Sequence, residues 1–369
     1  MNMTDPVELR HKLHQTPELM FREFKTTETI AEAVSVFDNI KIFRPLETGL
    51  VAEYTGAADA DYLLFRADID ALPVKEETGC SYSSLNDNMH ACGHDVHSSI
   101  LYGLLQHVAE TRPAQNILFV FQPGEEGGGG AEKVINSGIL DNYRIAACFA
   151  LHVTDEFPLG TIASTDGILF ASAHEIDLEI YGRGAHVAFP SDGIHSFDAL
   201  RKFLDRTDGI LKTHQEKIIL GYGRVESGTA RNIIPALTRV EGTIRTLARD
   251  VTEKFVKEIT GVLEALKSEM GIEYRLERGP FYNEVNVDTV LFGRCRKILQ
   301  DDYEFIDCGY RMTGEDFGLF SARYPSFMFW LGTSAGEKHG LHNSKFLPSD
   351  EAVLTGIDAM KKILSGFRN

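Results

Sequence analysis

Four uninterrupted apolar runs punctuate the chain, at residues 62–65, 117–121, 145–151 and 327–331. Each is too short for a helix and lacks the polar alternation of a half-exposed strand. Such runs predict strands buried on both faces, in a sheet covered by helices. Helical periodicity surrounds them. Asp5-Pro6-Val7-Glu8 reads as an N-cap followed by a proline at the first helical position. A second helix is predicted over 26–37, and a last one follows Ser349-Asp350-Glu351.

The middle of the chain has a different rhythm. Strands are predicted over 175–181, 217–225, 239–247 and 272–276, with helices over 196–212 and 250–270. The second helix is expected to open on a capping box, Asp250-Val251-Thr252-Glu253. The order β-α-β-β-α-β is that of a ferredoxin-like unit. The expected architecture is therefore α/β: a catalytic domain (1–170 and 282–369) with a mostly parallel central sheet flanked by helices. An inserted ferredoxin-like α+β domain (171–281) interrupts it, and a length of 369 residues suits two such domains.

Polar residues just beyond each apolar run direct attention to chemistry. The first run leads into Arg66-Ala67-Asp68-Ile69-Asp70 and the second into Gln122-Pro123-Gly124-Glu125-Glu126. The third ends at His152, and the fourth enters a loop that reaches His342. Sites in open α/β sheets form beyond the carboxyl ends of the strands, so these polar residues are expected to share one site.

The densest cluster is Met89-His90-Ala91-Cys92-Gly93-His94-Asp95-Val96-His97, just before a helical pattern at Ile100, Leu101, Leu104, Leu105 and Val108. A turn would present Cys92 and His94 to one point, and thiolate with imidazole suits zinc and similar divalent metals. Taken alone, Cys-x-His also fits a buried cysteine beside loop histidines, and Glu125-Glu126 also fits a solvated acidic turn. Together with His152 and His342 they form a metal-type set. One carboxylate of the pair could bind metal while its neighbour accepts a proton from the attacking water.

The net charge of −17 argues against a nucleic-acid partner, which requires clustered Lys and Arg. No stretch reaches the roughly 18 apolar residues of a membrane span. The opening residues Met1 to Pro6 contain neither a basic start nor an apolar run, so no signal peptide is read there. Cys80, Cys92, Cys148, Cys295 and Cys308 are scattered like a reduced cytosolic set, and the expected compartment is the cytoplasm.

Stretches 14–19, 66–72, 89–97, 122–127, 182–190, 231–235, 313–317 and 340–343 carry a specific resemblance. The chain resembles the metallopeptidase family of aminoacylases, glutamate carboxypeptidase and succinyl-diaminopimelate desuccinylase. Within it, the likeness is greatest to the branch of hippurate hydrolases, auxin–amino-acid amidohydrolases and N-acetyldiaminopimelate deacetylase. The resemblance implies two divalent ions (Zn, Mn, Co or Ni) held by Cys92, His94, Glu126, His152 and His342. It makes Glu125 the general base and Asp68 a residue that tunes the site.

The same resemblance implies that His186, in Gly182-Arg183-Gly184-Ala185-His186, polarises the scissile carbonyl, often across a dimer interface. Arg231, Asn232 and Arg245 match positions that hold a substrate carboxylate, a task suited to arginine's paired donors. Arg245 could equally be a surface residue of an edge strand. Arg66 stands where other branches place a histidine ligand, Cys92 where they use a bridging aspartate, and Gly124 where alanine is usual. Gly124 is expected to loosen its loop.

The implied reaction is amide hydrolysis of an N-acylated amino acid, with a homodimer or higher homo-oligomer as the assembly. The specific expectation is N-acetyl-L,L-diaminopimelate, in lysine biosynthesis, with a broader hippurate-type hydrolase as the alternative. Two rivals belong to other classes: a hydrolase using Cys92 as nucleophile, and a protein holding one closed structural ion.

Overall fold

The computed structural model describes residues 3–57 and 59–367. The outermost residues of the expected catalytic domain, 1–2 and 368–369, lie outside them. The chain divides into two compact units. The large unit comprises everything up to Leu169, Val285–Tyr310 and the chain from Asp316 onward, and the small unit comprises Phe170–Glu284 with Arg311–Glu315.

Among the described residues the large unit is built on an eight-stranded sheet. Its spatial order is Ile40–Phe43, Leu50–Tyr54, Asn116–Gln122, Tyr62–Asp68, Ile145–Pro158, Ser326–Ser334, Ile162–Ser164, Phe305–Asp307. The four strands predicted from apolar runs are the four central ones, and they pair in parallel. Every residue of Asn116–Gln122 is buried, as an unbroken apolar run demands. Flanking pairings to Leu50–Tyr54 and Ile162–Ser164 are antiparallel.

Register brings the chemistry to one level. Asp68 pairs with Gln122, and Phe65 pairs with Phe149, which sets Asp68 beside His152 three residues farther along. Helix His94–Thr111 packs against Pro6–Gln15 and Asp350–Gly366. Asp5 caps the first helix as expected, accepting from the Val7 and Glu8 amides. The second helix is Phe24–Val34.

The small unit's sheet runs Glu273–Tyr282, Ser172–Tyr181, Leu237–Thr246, Ile218–Ser227, with every pairing antiparallel. That is the 4-1-3-2 order of a ferredoxin-like fold. Helices Ser196–Thr213 and Arg249–Met270 bury Leu200, Phe203, Phe255, Ile259 and Leu263 against Ile176, Leu178 and Val240. The expected capping box does not form. This helix starts at Arg249 with Ala248 as N-cap, and Glu253 instead pairs with Arg278. Thr252 turns inward to hydrogen-bond Thr246 and Ser172.

All five cysteines are free thiols. Among the described residues, no helix is long and apolar enough to cross a membrane.

Candidate metal centre

Cys92 and His94 straddle Gly93, whose φ of +84° a residue with a side chain rarely adopts. A methyl group there would also lie 2.4 Å from Val153 Cγ2. The turn closes through the Gly93 amide on His90 O, and His94 begins the following helix. Glycine thus lets both side chains reach one point.

That point gathers residues from four segments. Cys92 Sγ lies 3.4 Å from His152 Nε2 and 3.3 Å from His342 Nε2. His342 Nε2 is 3.2 Å from Glu126 Oε1, and His94 Nε2 is 4.0 Å from the same oxygen. His94, Glu125 and Glu126 also place one ligand atom each within 4.8 Å of one another. All five expected metal ligands and the expected base therefore converge. His342 is exposed and holds a left-handed backbone, φ 63°, anchored by its amide on Ala91 O. Only a few per cent of non-glycine residues adopt this backbone, histidine more readily than most.

The surrounding groups fix the tautomers. His94 Nδ1 faces Asp70 O at 2.9 Å and Asp70 Oδ1 at 3.2 Å. Its proton is therefore directed away from the cluster, leaving Nε2 aimed inward. His152 Nδ1 donates to Val153 O at 2.8 Å, with the same result. Asp70 Oδ2 also accepts from the Glu126 amide at 2.9 Å, so one carboxylate orients two of the expected ligands. Metal-binding histidines characteristically have such outer partners.

His94 Nε2 and Glu126 Oε1 are buried without a hydrogen-bond partner, although Glu126 Oε1 lies close to His342. Leaving such atoms bare is costly, and a divalent cation would satisfy both. One thiol, three imidazoles and a carboxylate pair form a donor set that fits ions of borderline softness. Burial works against a charged His94, but Asp68, Asp70 and Glu126 outweigh it and raise its pKa to about 10. Burial, then Glu126, Glu125 and Asp68, push the Cys92 thiol well up. The local field thus favours cations and opposes a free thiolate, in contrast to the electropositive surroundings of a reactive cysteine.

Asp68 stands behind the ligands. It accepts from His97 Nδ1 at 2.6 Å and from Arg66 at 2.9 Å. Burial pushes its carboxyl upward, but His94, His97 and Arg66 prevail and hold it well below the usual range. His97 uses its other nitrogen to accept from the Val153 amide at 2.9 Å, so it braces the site as a neutral ring. Arg66, where other branches carry a ligand, donates to Gln122 at 2.9 Å and to Asp316 at 2.7 Å. Asp316 in turn accepts from Gln122 and the Ala131 amide, and its own amide points at Glu125 Oε1, 3.4 Å away.

Sequence reasoning missed Asp70, His97 and Asp316. One clue was available: Arg66, Asp68 and Asp70 alternate, so an extended segment puts them on one face. The expectation for Gly124 is corrected. Its φ is +67°, its amide donates to Glu23 at 2.9 Å, and an added methyl would lie 2.6 Å from the Phe21 ring. Glycine here admits a packed aromatic ring and does not loosen the loop.

The remaining expected residues belong to the small unit. His186 is exposed and bridges to Ile233, while the Val187 amide bonds Asn232 O at 3.1 Å. His186, Arg231 and Asn232 are thus neighbours. His186 Nδ1 accepts from the Ala188 amide at 3.1 Å, which leaves the proton on Nε2. Arg245 is not with them. It sits half-buried at the other end of strand Leu237–Thr246, roughly 27 Å away along the strand, with its guanidinium on Thr243 Oγ1 and Ile244 O.

Known proteins resemble the chain along nearly its whole length. The N-acetyldiaminopimelate deacetylase of Geobacillus sp. (strain WCH70) is 37% identical over 358 residues, 95% of each chain. The enzyme of that name from Bacillus subtilis (strain 168) is 33% identical over the whole of both chains. A solved structure described as a dinuclear metal-binding peptidase of the M20 family, from Bacillus subtilis, superposes with a TM-score of 0.83 at 28% identity. It covers 99% of this chain and 98% of that one. The sequence model of peptidase family M20/M25/M40 matches residues 64–366, a span that takes in three of the four central strands entirely and all of the inserted unit. The chain belongs to that family.

Proposed function

We propose that this protein is a metal-dependent amidohydrolase that converts N-acetyl-L,L-diaminopimelate to L,L-diaminopimelate and acetate, a step of lysine biosynthesis. The observation that carries the chemistry is the convergence of Cys92, His94, Glu126, His152 and His342 with Glu125 beside them. Near-full-length likeness to relatives of that name supports the substrate. Two divalent ions held by those five ligands would polarise the acyl carbonyl and acidify the attacking water.

The chain's own residues do the rest. Glu125 takes the proton of the attacking water on its carboxylate and returns it to the departing amine nitrogen. Asp70 and His97 keep the imidazoles and Asp68 in place. The His186 Nε2 proton donates to the carbonyl oxygen as charge develops there. Arg245 supplies donors for a carboxylate of the substrate in its own chain, while Arg231 and Asn232, neighbours of His186 at the other end of the strand, would do so for the substrate of a partner across the dimer interface. The small unit serves as lid and dimerisation domain, and the exposed Ile219 and Val225 on its edge strand support a partner at that surface. The expected setting is the cytoplasm.

A substrate panel tests the assignment. With Mn²⁺, Co²⁺, Ni²⁺ or Zn²⁺ supplied, kcat/KM is expected to be highest for the acetylated diamino diacid, above hippurate and simple acetyl-amino acids. Its distal amino-carboxylate would satisfy polar groups that simpler substrates leave unpaired. A preference for benzoyl substrates would point to the broader hydrolase instead. Exhaustive chelation is expected to abolish activity and metal return to restore it. Survival of activity without metal would favour Cys92 as nucleophile.

A further inference from the structure

A second group of metal-type donors lies apart from the centre described above. His14, Glu76 and Cys80 place one ligand atom each within 4.8 Å of one another. His14 lies on helix Pro6–Gln15, while Glu76 and Cys80 come from a coil segment that returns toward that helix. None of the three has a part in the mechanism above.

The group is built around an unsatisfied atom. The His14 side chain is only 2% exposed, and its Nε2 has no hydrogen-bond partner. Glu76 Oε1 is 3.3 Å away, but not in line to accept an N–H. On the far side of the ring, His14 Nδ1 faces Asp95 Oδ2 at 2.9 Å, and Arg10 holds the same carboxylate. This carboxylate–imidazole pairing fixes the ring with Nδ1 on Asp95 and Nε2 aimed at Glu76 and Cys80, the orientation seen in histidines that bind metal.

The spacing is that of a coordination shell. Zinc bonds of about 2.0–2.3 Å in tetrahedral geometry set neighbouring ligand atoms roughly 3.3–3.7 Å apart. His14 Nε2 to Glu76 Oε1 is 3.3 Å, and Cys80 Sγ to Glu76 Oε1 is 3.7 Å. The third edge, within 4.8 Å, is the looser one. Ser83 Oγ, 3.4 Å from Cys80 Sγ, stands next to the remaining position, which a water could also fill. Glu76 is itself held by the Ser84 amide and the Thr78 hydroxyl. Cys80 and Ser83 are only half-buried, so an ion has a route in.

We propose that His14, Glu76 and Cys80 form a separate site for a thiophilic divalent cation, with zinc the best fit. Binding displaces two protons, one from the Cys80 thiol and one that Asp95 and Glu76 otherwise hold on His14, so the thiolate, carboxylate and imidazole are all in ligand form. The ion cross-links the first helix to the 76–84 segment. Its role is structural and its removal leaves the catalytic donors in place.

Elemental analysis of the full chain, reconstituted with zinc under reducing conditions and freed of loose metal, tests this. The expected result is about three zinc ions per chain in the natural protein and one fewer in Cys80→Ser, whose turnover stays within about twofold. Zinc should also slow alkylation of the Cys80 thiol, read by peptide mass mapping so that protection of Cys92 is counted separately. Equal zinc content in the two proteins, or Cys80 alkylated equally fast with and without zinc, would overturn the site. His14 would then be a protonated cation shared by Asp95 and Glu76. Loss of the catalytic centre's own ions would instead abolish turnover in both proteins, so the two outcomes are distinguishable.

Discussion

Glu125→Gln is expected to lower kcat by about 10²–10⁴ while leaving bound metal almost unchanged. Glutamine keeps the size of the side chain, and its amide oxygen can still face the Asp316 amide as Glu125 Oε1 does. What it loses is the capacity to take a proton and hand it on. The neighbouring substitution provides the contrast. Glu126 Oε1 lies among His342, His94 and Cys92, and Asp70 fixes the Glu126 backbone. Glu126→Gln should therefore weaken metal retention first and activity in consequence, with added metal restoring part of it. Parallel kcat measurements and elemental analysis decide the matter. If Glu125→Gln sheds metal and Glu126→Gln keeps it, base and ligand are exchanged.

Arg66→Met is expected to destabilise the protein by about 3–5 kcal/mol. Arg66, Asp68 and Asp316 side chains are completely buried, with the guanidinium bonded to both carboxylates and to Gln122. Methionine fills much of the space but takes the cation from Asp316 and leaves Asp68 with its histidine partners alone. Removing one partner of a buried ion cluster costs far more than the cluster contributes as a whole. The double variant with Asp316→Asn should recover part of the loss, because the stranded charge is gone and an amide oxygen remains for Gln122 and the Ala131 amide. Urea midpoints at unchanged slope would report both effects. A single-variant loss below about 1 kcal/mol would mean that water reaches and solvates the freed carboxylates.

The central strands were legible because their apolar runs are buried on both faces, a condition that leaves its mark on every residue. Ile40–Phe43 and Phe305–Asp307 at the sheet's edges and Ile162–Ser164 next to the latter were not read, since such short strands owe their existence to partners distant in sequence. The small unit was readable as a whole because alternation and helical periodicity switch in a fixed order. In the site, Cys92, His94, Glu126, His152 and His342 were visible as donor types placed after strands. Asp316 was not, because its meaning lies in Arg66, 250 residues away, and an isolated acid reads as surface. Asp250 shows the converse: a capping sequence was present, but an ion pair and an inward-turned threonine decided where the helix began.

The parallel pairing of Ser326–Ser334 with Ile145–Pro158 has a consequence for how the molecule is made. A ribosome delivers the early strands and the entire inserted unit before this central strand exists. His342 comes 250 residues after Cys92, a delay of roughly 10–50 s at ordinary elongation rates. The nascent large unit must wait that long with a gap in its sheet, while the small unit already carries all of its own core. Chaperone dependence should therefore fall on the large unit.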